Sequence, residues 1–203
     1  AIAPGGGRGL GRAHSLAPAE AGAGAGAFVA DAEPRRDRPA RQRVDHLVAR
    51  LAQQARTAAG PIREAALGAG ELLARYDGFV PQAATVAAFH LDLDAEAERV
   101  DASLDRLAVL TEGRPVLAAR TATELAARLR RTQEGDAETL LGAAQRLTVH
   151  GGHSEGLLAT AITATLGTRT GWAPQWRAQL RALRRHPHPD VRDAALAQMT
   201  AYE

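Results

Sequence analysis

Pro61-Ile62-Arg63-Glu64-Ala65-Ala66-Leu67-Gly68 and Pro189-Asp190-Val191-Arg192-Asp193-Ala194-Ala195-Leu196-Ala197 each open on proline and share one pattern: an aliphatic residue, Arg, an acid, Ala-Ala-Leu and a small residue. Proline suits the first turn of a helix, because that N–H has no intrahelical partner and the ring fixes a helical φ. Each stretch therefore predicts a helix that opens at its proline. A second apolar stripe precedes each of them. Val44, Leu47, Val48, Leu51 and Ala55 run up to Gly60-Pro61, and Trp176, Leu180 and Leu183 run up to His186-Pro187-His188-Pro189. Spacings of three and four residues place each set on one helical face. Two helices joined by so short a turn are expected to lie antiparallel and share those faces.

The arrangement recurs twice more. Val100, Leu104 and Leu107 precede Glu112-Gly113-Arg114-Pro115, with Leu117, Thr121, Leu125 and Leu129 beyond. Leu140, Leu141, Ala144 and Leu147 precede His150-Gly151-Gly152-His153, after which Ser154 can cap a helix carrying Leu158, Ile162 and Leu166. Pro115 and Pro189 are 74 residues apart, two steps of 37, and one step from Pro115 lands on Gly152. Pro61 and Pro115 are 54 apart, a surplus of 17 that coincides with residues 78–93, read as a short extra helix with flanking loops. Helical pairs repeating near 37 residues mark an α-solenoid.

The segment from Pro189 resembles the second helix of a HEAT repeat, and the unit from Trp176 through Tyr202 resembles a whole one; the likeness extends over residues 43–203. It implies an all-α fold: a right-handed α-solenoid of about four HEAT-like hairpins over residues 40–203. It also implies that Arg63 and Arg192 are structural, bonding to acids or carbonyls. Residues 1–39 contain Gly5-Gly6-Gly7, the alternation Ala21 to Gly26 and hardly any large apolar side chain. They are expected to be a disordered, flexible linker, since little buried surface offsets their ordering entropy.

Composition narrows the function. The chain has no Cys, which excludes disulfide scaffolds, thiolate metal sites and thiol catalysis, and aromatics are 3% of residues, leaving little stacking surface. The pI near 9.9 overstates a formal charge of +2, because without Lys or Cys almost nothing titrates between His and Tyr. Residues 1–43 hold 7 Arg and 4 acids, and residues 44–203 hold 18 Arg and 19 acids. A nearly neutral folded part argues against a general nucleic-acid binder. No apolar run approaches a membrane span and no signal peptide is visible, so a cytoplasmic setting is expected. The chain starts at Ala1 without Met, which reads as a fragment of a larger protein.

Three clusters have metal-ligand residue types: His90/Asp92/Asp94, His150/His153/Glu155 and His186/His188/Asp190. Each offers at most three ligands and two lie on turns, so all are read as structural, with no metal and no cofactor expected. Asp94, Glu98, Asp101 and Asp105 fall on one helical face and are read as solvated. No phosphate loop, nucleophile elbow or metalloprotease motif occurs, so no enzyme activity is expected. The binding candidate is a guanidinium ridge: Arg177, Arg181 and Arg184 at i, i+4 and i+7, with Arg185 beside them, Arg169 nearby, and Arg114, Arg120, Arg128, Arg130 and Arg131 extending it. The expectation is a non-catalytic scaffold or regulatory module for a protein or peptide partner, including another domain of the same polypeptide. The alternative is a solenoid that binds the nucleic-acid backbone through the ridge.

Overall fold

The computed structural model describes residues 38–54, 60–132 and 134–200. Residues 1–37, most of the expected linker, lie outside the described residues, as does the expected stretch 55–59 before Gly60. All regular structure among the described residues is helical, with no strand. The chain divides at His46 and Leu47. Of the first unit, residues 38–46 are described and helical. The second opens with helical residues 47–54 (α1), followed by α2 (Gly60–Leu73), a 3-10 turn (Asp77–Phe79), α3 (Val80–His90), α4 (Ala97–Thr111) and α5 (Pro115–Thr132). Then come α6 (Ala137–His150), α7 (His153–Arg169), α8 (Pro174–Leu183) and α9 (Pro189–Leu196). Among the described residues no helix is long and apolar enough to cross a membrane.

Prolines open α5, α8 and α9, as the first-turn argument requires. The Asp136 carboxylate caps α6 by accepting the Thr139 N–H at 2.8 Å, and Gly151 ends that helix at φ 74°, a left-handed position that glycine takes without a Cβ clash. α7 ends differently. Gly171 and then Trp172 both adopt positive φ (64° and 55°), a conformation costing a non-glycine residue roughly 1–2 kcal/mol. Burying the indole offsets that cost, and Gly167 makes the room: a Cβ there would lie 2.5 Å from the Trp172 ring.

α3 packs between α2 and α5, α5 against α7, and α7 against α6, α8 and α9; α6 also meets α4 and α8. α7 is buried nearly all round, from Ser154 to Gly167, consistent with its many neighbours. The helix at 80–90, expected as an addition beside the repeats, is thus central: Ala83, Ala84, Val86, Ala87 and Ala88 are all buried. The spacing of Ile62, Ala65, Ala66, Ala69, Leu72, Leu73 and Tyr76 predicts one apolar stripe on α2, and it holds only in part: Ala66 is buried and Ala69 and Leu73 half-buried, but Ile62, Ala65, Leu72 and Tyr76 are exposed, while Leu67 and Gly70 face inward. The α2–α3 contact is built from small residues that let two backbones approach, and a Cβ on Gly70 would touch Ala83 O and Ala87 Cβ at 3.4 Å.

Polar groups stitch neighbouring helices. The Arg106 guanidinium on α4 grips both Glu64 oxygens on α2 at 2.6 and 2.7 Å. Arg146 on α6 reaches Asp101 at 3.0 Å and Asp105 at 2.7 Å on α4. Asp101 and Asp105, expected on a solvated face, instead form this inter-helix pair, because that face borders the next helix. Gln179 on α8 donates to Ala144 O at 3.0 Å and Thr148 Oγ1 at 2.7 Å on α6. Arg63 pairs with Asp92, and Arg192 donates to the carbonyls of His186 and Pro187 at 2.9 and 2.8 Å.

Arg128 is the most buried of these cations, with 3% of its side chain exposed. Its Nη1 donates to Ala88 O and Leu91 O, both at 2.8 Å, at the end of α3. Nε and Nη2 hold Glu134 Oε2 at 3.0 and 2.5 Å, and the guanidinium carbon sits 5.5 Å from the Phe89 ring centroid. Arg128→Met removes the cation but strands Glu134 and two carbonyls, and breaking a buried pair this way costs about 3–5 kcal/mol. Urea denaturation of the variant should show a loss of that size.

Candidate functional site

The arginine ridge is only partly presented to solvent. Arg181 and Arg185 are exposed, and Arg177 is half-buried. Arg184 turns back onto α9, donating from Nη2 to Gln198 O at 3.1 Å and lying 3.4 Å from Ala195 O through Nε. Gln198 lies just beyond α9, and Ala195 O also accepts the Gln198 N–H at 3.3 Å. Of the arginines expected to extend the ridge, Arg128 is buried at the end of α3, and Arg169 donates to Glu134 O and Gly135 O at 3.3 and 2.9 Å. Arg114, Arg120, Arg130 and Arg131 are exposed.

The structure joins two of the histidine clusters that the sequence presents separately. The first residue of α7 supplies His153, the α8–α9 turn supplies His186 and His188, and the first turn of α9 supplies Asp190. His153 Nε2 meets Asp190 Oδ2 at 3.1 Å. Ring centroids of His188 lie 5.8 Å from His153 and 5.6 Å from His186. His186 is buried; its Nδ1 accepts the His188 N–H at 3.3 Å, and its Nε2 has no partner. Its ring packs on α7 at Gly156, where a Cβ would lie 2.7 Å from Val191 Cγ2 and 2.9 Å from His186 Cε1. Glycine at 156 is therefore a packing requirement.

Comparison with protein-family models, with curated proteins and with solved structures finds no match to this chain.

His150 is exposed. In the third cluster each group goes its own way. His90 Nδ1–H donates to Arg63 O at 3.1 Å, Asp92 pairs with Arg63, and Asp94 Oδ1 accepts the Gly135 N–H at 2.8 Å. Among the described residues, no three His, Asp or Glu side chains are placed to share a metal ion.

Burial holds His186 below the usual histidine pKa, and the neighbouring His188, Arg192 and His153 push the same way against Glu155. Burial likewise lowers His90; the cations Arg106 and Arg63 add to it, while the bond to Arg63 O and the charge of Glu64 oppose it. A lowered folded pKa means that the fold favours the neutral ring. The resulting stability is complete above the unfolded value of about 6.5 and is lost as pH falls below it. The urea midpoint should therefore fall between pH 7.5 and 5, above the range where Glu64 and Asp92, both lowered chiefly by their arginine hydrogen bonds, begin to protonate. In His186→Gln the fall should be smaller; an unchanged pH profile would remove His186 from the account.

Proposed function

We propose that the hairpins between Gly60 and Leu196 form a right-handed, HEAT-like α-solenoid that serves as a non-catalytic scaffold for a protein partner. The observation that carries this reading is the register of the inter-helix ion pairs. Glu64 and Asp101 are each the fifth residue of α2 and α4, while Arg106 and Arg146 are each the tenth residue of α4 and α6. The same cation on one helix thus grips the same acid position on the helix one repeat earlier, as a translated unit would. The starts of α2, α4, α6 and α8 are separated by 37, 40 and 37 residues. This reading replaces the expected first hairpin, in which α2 followed the 44–55 helix as the counterpart of α9: pairs α2/α3, α4/α5, α6/α7 and α8/α9 make four units, and contacts between successive units bury faces that one hairpin leaves bare. The near-neutral charge of residues 44–203 and the commitment of Glu64, Asp92, Asp101 and Asp105 to arginine pairs favour a scaffold over a catalyst.

Binding to the nucleic-acid backbone is the second reading, favoured by the exposed Arg181 and Arg185. Salt-dependent retention separates the two, since phosphate contacts release counterions. The chain is expected to pass through a DNA-cellulose column at about 150 mM salt, and Arg181→Glu with Arg185→Glu to change nothing; strong retention that the double variant abolishes would favour the second reading.

The repeat reading has its own test. Removing residues 174–203 should leave α2 to α7 helical, because stability in an array comes mainly from adjacent units. Circular dichroism of the truncated chain should show a helical signal reduced roughly in proportion to the residues removed, and complete unfolding would contradict a repeat array. Arg146→Ala, which breaks one partly exposed rung, should cost only about 1 kcal/mol in urea denaturation.

A further inference from the structure

The His186 ring sits in a seat that suits only its neutral form. It is 2% exposed, on the α8–α9 turn, between Gly156 of α7 and Val191 of α9. The His188 N–H donates to its Nδ1 at 3.3 Å, so that nitrogen carries no proton and the ring's own proton is on Nε2, which is buried without a partner. A second proton has to enter at Nδ1, where it would face the His188 N–H donor to donor. Protonation thus breaks the bond that shapes the turn and leaves a buried charge with no acceptor at either nitrogen, a cost that opening the turn to water removes.

The turn is also what seats α9. Arg192 Nη1 donates to the carbonyls of His186 and Pro187 at 2.9 and 2.8 Å, and α9 packs on α7 and α8 alone among the helices it meets closely. Charged and titratable groups reach the ring from each element around it: His153 and Glu155 from α7, His188 from the turn and Arg192 from α9. Glu155 favours a charged ring and the other three oppose one. Asp190 bonds to His153, and that pair strengthens when His153 is charged, so it holds the joint closed and works against the trigger.

We propose that His186 is a proton-operated latch, whose protonation as pH falls through the histidine range releases the α8–α9 turn from α7 and uncovers the buried Val191 and Ala195. Opening is confined to the last hairpin, because α7 keeps its packing against α5 and α6. The latch is thus distinct from an overall loss of stability in acid, and it does not depend on what the chain binds.

Hydrogen exchange of the full chain, followed by mass spectrometry at pH 7.5 and 5.5 and corrected for intrinsic rates, tests it. The readout is the protection of amides in residues 184–196 relative to those in α5. That ratio is expected to fall at least threefold on acidification, towards a ceiling of about tenfold, which one ring titrating near 6.5 once released sets over this interval. A smaller fall, including one in which α5 loses protection in step, would overturn the latch. His186→Asn places an oxygen that does not titrate about where Nδ1 stands, so the His188 N–H keeps an acceptor, and its ratio should hold within twofold. A parental fall in that variant would overturn the assignment to His186. Should His186→Asn be unfolded at pH 7.5, His186→Gln, which also lacks the titrating proton, carries the same test with the same outcomes.

Discussion

A guanidinium without water around it must find its partners in the protein, and Arg128 dictates where several of them stand. Its fork takes two carbonyls at the end of α3 and one carboxylate from the loop after α5, so the end of α3 and that loop are held to one planar group. The loop it fixes is the one whose Gly135 N–H reaches Asp94 and whose carbonyls accept Arg169. The end of α7 is thereby referenced to the end of α5, and the end of α5 to the end of α3. Burying such a charge is tolerable only because its surroundings satisfy it, and any shift in these helix ends would leave a cation or a carbonyl stranded.

Much of this architecture is legible in the sequence, for specific reasons. The stripes Val100/Leu104/Leu107 and Trp176/Leu180/Leu183 are made of large apolar residues at helical spacing, and all six are buried. Turn chemistry at Gly113-Arg114-Pro115, Gly151-Gly152 and Pro187-His188-Pro189 marks where helices stop and restart. The reading is least accurate near α2 and α3, where the contact consists of Ala and Gly. Helical spacing of large side chains selects Ile62, Leu72 and Tyr76, but close approach of two backbones rewards the absence of side-chain bulk. No hydrophobicity pattern distinguishes an alanine that packs from one that does not.

The candidate sites show the same divide between what is local and what is not. The spacing of Arg177, Arg181 and Arg184 sets their common helical face, yet it does not reveal that the carbonyls ending α9 lie within reach of Arg184. The meeting of His153 with Asp190 pairs residues 37 positions apart, one repeat interval, so a period in the sequence already contained that juxtaposition. Of the four threonines on α7, Thr160 and Thr168 return their hydroxyls to carbonyls while Thr163 and Thr165 do not, a difference the sequence does not mark.

The helix-to-helix rungs have a kinetic implication. Glu64–Arg106, Asp101–Arg146 and Gln179–Ala144 close loops of 42, 45 and 35 residues, so the chain never waits for its two ends to meet. Loop closure of this length is entropically mild, and topologies dominated by short separations acquire their native contacts quickly. A polypeptide emerging vectorially from the ribosome can therefore close each of these rungs as soon as about forty further residues have appeared, so that synthesis itself sets the order in which the helices are joined.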